Sequence, residues 1–185
     1  MVLTSWVVYW VLMGVQYVFA ELDRRRTSDS PRRKGDGRAL AGLLLEVIGF
    51  ATALGFPRGY ADAAPQPLLW CGAVLAVVAV LVSASGARSL GREFRVRAVV
   101  TEDHRLVTSG PYRIVRHPIF ASLLALLLAT GITITEWWAL AVAVAIFVAG
   151  TEVRVRAEEA LLAARFGPEF EAYRARTSAY IPLVR

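Results

Sequence analysis

Apolar residues along this chain gather in five blocks, at approximately 2–20, 39–56, 66–87, 118–135 and 137–151, and charged residues collect between them. Neither Val2–Ala20 nor Gln66–Ala87 carries an Asp, Glu, Lys or Arg. Runs of this kind match the roughly 20 residues needed to cross a hydrocarbon core about 30 Å thick. The pattern therefore predicts an all-α integral membrane protein with about five transmembrane helices. No basic residue precedes the first block, and Phe19-Ala20-Glu21-Leu22 is a poor small-residue cleavage site, so a retained helix is expected there rather than a signal peptide. Only the turn around Glu136 separates the fourth and fifth blocks, which predicts a tight antiparallel hairpin with Trp137 and Trp138 in an interfacial aromatic belt.

Charge then orients the blocks. The loop after the first holds Arg24, Arg25, Arg26, Arg32, Arg33, Lys34 and Arg38, and residues 88–117 hold Arg88, Arg92, Arg95, Arg97, Arg105, Arg113 and Arg116. Pro57–Pro65 has a single Arg and a single Asp, and the turn near Thr135-Glu136 has no basic residue. The positive-inside rule puts the basic loops and the tail in the cytosol and the N-terminus outside, with alternation at every loop. Past Thr151 the pattern becomes a charged amphipathic helix with Glu152, Arg154, Arg156, Glu158 and Glu159 beside Leu161, Leu162 and Phe166. Gly167 is the expected stop and Pro168 the first residue of a short helix carrying Phe170, Tyr173 and Arg174. Ile181-Pro182-Leu183 is apolar enough to dock back at the interface, and the stretch 23–38 is a candidate for disorder. The expected organisation is one structural domain: three transmembrane helices over 1–89, then a loop, the hairpin and cytosolic helices over 90–185.

Composition changes this picture little. In 185 residues, 56% hydrophobic and 19% charged with mean hydropathy +0.50, there is room for one domain, too apolar for an ordinary soluble one. The net charge of +6 is almost all arginine, with Lys34 the only lysine, and topology accounts for it before nucleic acid does. Cys71 is the only cysteine and lies in an apolar run, so no internal disulfide is possible.

Candidate chemistry is concentrated in His104–Phe120. Ser109-Gly110-Pro111-Tyr112 is a turn signal, and Pro118 suits the first position of the fourth helix, where its missing N–H costs nothing. Arg116 and His117 then stand at a helix N-terminus, where unpaired amides, the dipole and a guanidinium together favour an anion. The alternative is an interfacial anchor to lipid headgroups. His104 and His117 are the only histidines and no cysteine accompanies them, so hydrogen bonding to a ligand is expected rather than a metal. Arg154 and Glu158 share a helix face: either a surface ion pair, or the roof of a site in which a cationic ligand uses Glu158 and an anionic one Arg154. Glu46, inside the second block, needs a partner or a function, and an arginine from 92–97 is a possible partner.

One ordered set of residues goes further: His104-x-Leu-Val-Thr-Ser-Gly-Pro-Tyr112, Arg116-His117-Pro118, Arg154, Glu158-Glu159, Phe166-Gly167-Pro-Glu-Phe-Glu-Ala-Tyr173 and Ile181-Pro182. Over roughly 90–183 it resembles the isoprenylcysteine carboxyl methyltransferase family and its bacterial and phospholipid-methylating relatives; residues 1–89 match only as apolar segments. The resemblance implies a helical membrane enzyme that binds S-adenosylmethionine, releasing S-adenosylhomocysteine, without a Rossmann domain. It implies cofactor contacts from His104, Arg105, Leu106, Val107, Tyr112, Arg116, His117, Pro118, Ile119, Phe120 and Glu158. Arg154 would face the methyl acceptor, and Arg154, Glu158 and Glu159 would carry catalysis, with Arg97 a further polar position. Where relatives have Tyr and then Gly after Arg-His-Pro, this chain has Phe120, Ala121 and Ser122. Phe120 lacks the hydroxyl, and Ser122 is still small enough for close packing.

The expected function is membrane methyl transfer to a lipidic or prenyl-linked acceptor, with carboxylate O-methylation favoured. A phospholipid amine or a small thiol is the alternative acceptor. The expected partners are membrane lipids and that acceptor, without nucleic acid or metal, in a multi-pass cell-membrane protein whose site faces the cytosol. Two readings from other classes stand beside it. One is an NADPH-dependent membrane reductase using arginines 92–97, for which no phosphate-cradling glycine loop is evident. The other is a non-catalytic membrane scaffold.

Overall fold

A computed structural model of the chain describes residues 37–59, 64–94 and 105–180, together with the backbone at 34–35 and 99–100 and the isolated positions Val11 and Val18. Most of the expected first span and of the 23–38 loop lies outside the described residues, as do Arg95, Arg97, His104 and Ile181-Pro182-Leu183. Among the described residues five helices have defined bounds, in order α1 (Arg38–Gly55), α2 (Gln66–Leu90), α3 (Pro118–Ile134), α4 (Trp137–Phe166) and α5 (Pro168–Arg176). Single 3-10 turns occupy Gly91–Glu93 and Gly110–Arg113. Among the described residues the only strand pairing is a two-residue antiparallel contact of Lys34–Gly35 with Val99–Val100.

Of these, α1, α2 and α4 are long and apolar enough to cross a membrane, whereas α3 is a shorter apolar helix of 17 residues. The fifth apolar block and the charged helix after it are not two elements. They form one 30-residue helix, α4, about 45 Å long at 1.5 Å per residue. Nothing between Gly150 and Phe166 breaks it, because the change there is in polarity and not in helix-forming tendency. A hydrocarbon core of about 30 Å takes up about 20 residues of it, the apolar block 137–151 and the turn that holds Arg154, and leaves Glu158 and Glu159 at its polar edge. Gly167 ends α4 at φ +51°, a conformation glycine adopts without strain, and Pro168 opens α5.

The helices alternate in direction. Small residues let them approach closely, the usual device where lipid supplies no hydrophobic drive between helices. Gly42 of α1 lies against Gly150 and Arg154 of α4, and Gly49 against Ala143 and Phe147, so α1 and α4 are antiparallel. Gly72 of α2 lies against Ala129 and Thr133 of α3, and Gly86 against Pro118 and Ile119, so α2 and α3 are antiparallel too. These two pairings carry most of the packing, and α3 touches α4 more sparsely although only two residues connect them. Phe50, Phe120, Leu126, Leu127, Ala143 and Phe147 fill the centre, with Phe50 and Phe147 edge to face at 5.7 Å.

One end of the bundle is tied by hydrogen bonds. Thr135 donates through Oγ1 to Ala53 O at 2.7 Å, the Glu136 amide to Phe56 O at 3.0 Å and the Arg58 amide to Ile134 O at 2.7 Å. The Arg58 guanidinium stacks over Trp137 at 4.1 Å, and Phe56 meets Trp138 at 4.8 Å. The start of the 57–65 loop and the Thr135-Glu136 connection thus share one end, and the charged extension of α4 and the start of α3 share the other.

Candidate functional site

The site is built where α3 begins. Gly110, at φ +60°, makes a turn in which a Cβ would come within 2.5 Å of Ser89 Oγ. Pro111 opens the 3-10 turn that carries Tyr112 into the interior beneath Gly86. His117 caps α3 and Pro118 is its first residue. Residues beyond α5 form a strap along this loop. The amides of Arg116 and His117 donate to Ser178 O and Ala179 O, each at 2.8 Å. The Arg116 guanidinium donates to Thr177 O and, at 3.1 Å, to Arg174 O. From α5, Tyr173 donates its hydroxyl to Tyr112 O at 2.7 Å. Two strands of chain distant in sequence therefore fix the position of His117.

Around His117 lies an ionic cluster. Its Nδ1 is 3.5 Å from Glu158 Oε2 and its Nε2 is 3.3 Å from Glu159 Oε1. Glu159 also accepts from Arg116 Nε at 2.8 Å and faces Arg174 Nε at 3.3 Å. A ring that faces carboxylates on both nitrogens can donate to both only as imidazolium. Burial alone would lower the His117 pKa, but hydrogen bonds and charge from Glu158 and Glu159 outweigh it and hold the pKa above its ordinary value. For Glu159, burial pushes upward, and hydrogen bonds from His117 and Arg116 reverse this and hold it at about 2. Burial, reinforced by the Glu158 charge, raises the Tyr112 hydroxyl well above its usual range, so it stays neutral. Glu158 has the most exposed carboxylate of the cluster, with 25% of its side chain open against 10% for Glu159.

A second cluster lies one turn deeper. Arg154 Nη1 bonds Glu46 Oε2 at 2.6 Å, and Thr151 Oγ1 donates to Glu46 Oε1 at 3.1 Å, with all three residues buried. Of the arginines in 92–97 that could partner Glu46, Arg95 and Arg97 lie outside the described residues, and the partner seen is Arg154, across the α1–α4 seam. Geometry explains this. Helical side chains lean toward the N-terminus of their own helix, so on antiparallel α1 and α4 the two side chains lean toward each other. Gly42 leaves the room: a Cβ there would meet Arg154 Cγ at 2.6 Å.

Phe120 joins the clusters. The Arg154 guanidinium lies 4.5 Å from its ring centroid, and the His117 ring lies 5.7 Å away on a tilted approach. At the other departure, Ser122 is buried and donates to Ile119 O at 2.7 Å, so it packs closely as a small residue would.

The structure thus brings Arg116, His117, Phe120, Arg154, Glu158 and Glu159 together. Tyr112 and Pro118 are buried, and Ile119 packs on the cluster of Ala87 and Phe94. Arg105 is exposed, and Leu106 and Val107 are half-buried on the extended run into the turn. His104 lies outside the described residues. Among the described residues no group of three or more His, Cys, Asp or Glu could hold a metal ion. The sequence signals missed Arg174, Thr177 and Tyr173 as supports of the loop, since hydrogen bonds to backbone carbonyls leave no spacing signature. Thr151 was also missed, although a hydroxyl one turn before a buried arginine is a usable signal.

A comparison with known families matches residues 70–164 to the isoprenylcysteine carboxyl methyltransferase family, more than half of the chain. The match covers most of α2, the loop, α3 and most of α4. It starts earlier than the resemblance at residue 90 and stops short of Phe166–Tyr173. No curated protein matches the chain.

Proposed function

Since the chain belongs to the isoprenylcysteine carboxyl methyltransferase family, we propose that this membrane protein transfers a methyl group from S-adenosylmethionine to a lipidic or prenyl-linked acceptor, with a carboxylate favoured. The observation that carries the reading is Phe120, in contact with both the Arg154 guanidinium and the His117 ring. Through it, one set of groups suited to a soluble cationic cofactor adjoins another buried in the seam between α1 and α4.

The donor set fits S-adenosylmethionine. Glu158, partly exposed at the edge of the cluster, offers a negative charge to a sulfonium or ammonium group. The start of α3 offers amides and a positive dipole end to a carboxylate. The Arg116 guanidinium is engaged by Glu159, Arg174 O and Thr177 O, so in this reading it acts by holding Glu159 and the strap in place. In this reading Arg105, Leu106, Val107, Tyr112, Pro118, Ile119 and Phe120 supply the rest of the cofactor contact, and the family resemblance adds His104 to them.

The cofactor supplies a methyl group already activated on sulfur. The protein's residues then have to align the acceptor with it and keep water out. Arg154 meets an acceptor carboxylate, which attacks without giving up a proton. An amine or thiol acceptor would instead need Glu158 or Glu159 to take its proton. The arginine-rich end of the bundle is assigned to the cytosol, where S-adenosylmethionine is available and S-adenosylhomocysteine is released.

Equilibrium binding to the purified protein in detergent tests this reading. Saturable binding of S-adenosylmethionine without binding of NADPH is expected. Binding of NADPH alone would eliminate a methyltransferase.

A further inference from the structure

Arg154 is a cation buried among apolar helices, and an unpaired cation there costs several kcal/mol. Between turnovers, when no acceptor is present, something must balance it. Glu46 does so at 2.6 Å, steadied by Thr151. It lies on α1, outside the segment matched by the family. The room for the pair is built in, since Gly42 and Gly150 leave no space for side chains where α1 crosses α4 beside it.

From this we infer that Glu46 is a specificity-determining residue, the resting counter-ion of Arg154 that occupies the position an acceptor carboxylate takes. A carboxylate acceptor then enters by exchanging one carboxylate for another on the same guanidinium. The displaced Glu46 carboxylate stays buried on α1 and takes up a proton from water, which keeps the charge of the site unchanged, so the exchange adds little affinity of its own. The apolar tail supplies most of the binding, and anions without a long tail gain too little to displace Glu46. This inference rests on the reading that Arg154 faces the acceptor.

The test uses N-acetyl-S-farnesylcysteine, which has a free carboxylate, and its methyl ester as the uncharged control. Binding and thermal unfolding are measured in detergent for the wild-type protein and Glu46→Gln. Glutamine keeps shape and hydrogen-bonding capacity but removes the competing charge. The variant is expected to bind the carboxylate probe about tenfold more tightly than wild type, the worth of one charge-assisted hydrogen bond. It should unfold at a lower temperature when empty and recover on adding the carboxylate probe, while the ester binds both proteins equally. A purely structural Glu46 would lower the unfolding temperature without that selective recovery. Thr151→Val, which only loosens Glu46, should give a smaller gain of about threefold and serves if Glu46→Gln does not fold.

Equal affinity of wild type and variants for the carboxylate probe, the same gain for the ester, or no probe binding at all would overturn the inference. A failure of the methyltransferase reading shows elsewhere, as wild-type protein that transfers no methyl group from S-adenosylmethionine, because probe binding is measured without turnover.

Discussion

His117 faces a carboxylate on each ring nitrogen, and its neighbours decide its behaviour. Its folded-state pKa lies above 6.5, so its stabilisation is complete below pH 6.5 and is lost as the pH rises through the folded value. His117→Leu should cost roughly 3 kcal/mol, since it leaves two carboxylates facing each other with part of their compensation gone. Unfolding temperature against pH checks this: wild type should lose stability above pH 6.5, and the variant should start lower and lack that slope. A wild-type curve flat from pH 6 to 9 would mean that the imidazolium is not the resting form. Glu46 shows the limit of reading single residues. A lone carboxylate in an apolar helix announces a partner, but the partner is 108 positions away. The sequence pattern did not point to Arg154, because register between helices is not written within either of them.

Between elements, glycine sets the spacing. At Gly150 a Cβ would meet Gly42 O at 2.6 Å and Leu45 Cβ at 2.8 Å, both on the body of α1 and neither able to swing away. Gly150→Leu should therefore push α1 from α4, at a cost of about 1–3 kcal/mol, and separate Arg154 from Glu46. Thermal unfolding checks the cost, and an unchanged unfolding temperature would show that the contact is looser than described. Most element boundaries were legible: Pro118, Gly167 and Pro168 act where their backbone chemistry demands, and the apolar blocks at 39–56 and 66–87 match α1 and α2 closely. The continuity of α4 was not legible from polarity, because a helix leaving the membrane changes its residues without changing its backbone. Nor was the pairing of α1 with α4 and of α2 with α3, which follows from where small residues face each other across the bundle.

At the scale of the whole molecule, alternating helices place the arginine-poor connections at one end and the charged site at the other. An enzyme joining a water-soluble donor to a membrane-held acceptor needs such an arrangement, with one cluster at the polar edge and one inside the helix seam. The ordered motif was legible because side-chain chemistry constrains residue type at each position. The strap over residues 177–180 was not, because its bonds to Arg116 and His117 use backbone atoms that any sequence supplies. The division of labour between the clusters is tested most directly by S-adenosylmethionine affinity and methyl transfer measured side by side in Glu158→Ala and Arg154→Gln, the latter keeping a donor for Glu46. Glu158→Ala should bind the cofactor about tenfold more weakly, whereas Arg154→Gln should bind it within about twofold of wild type and lose turnover. Unchanged affinity in Glu158→Ala, or equal loss of affinity in both, would contradict the account.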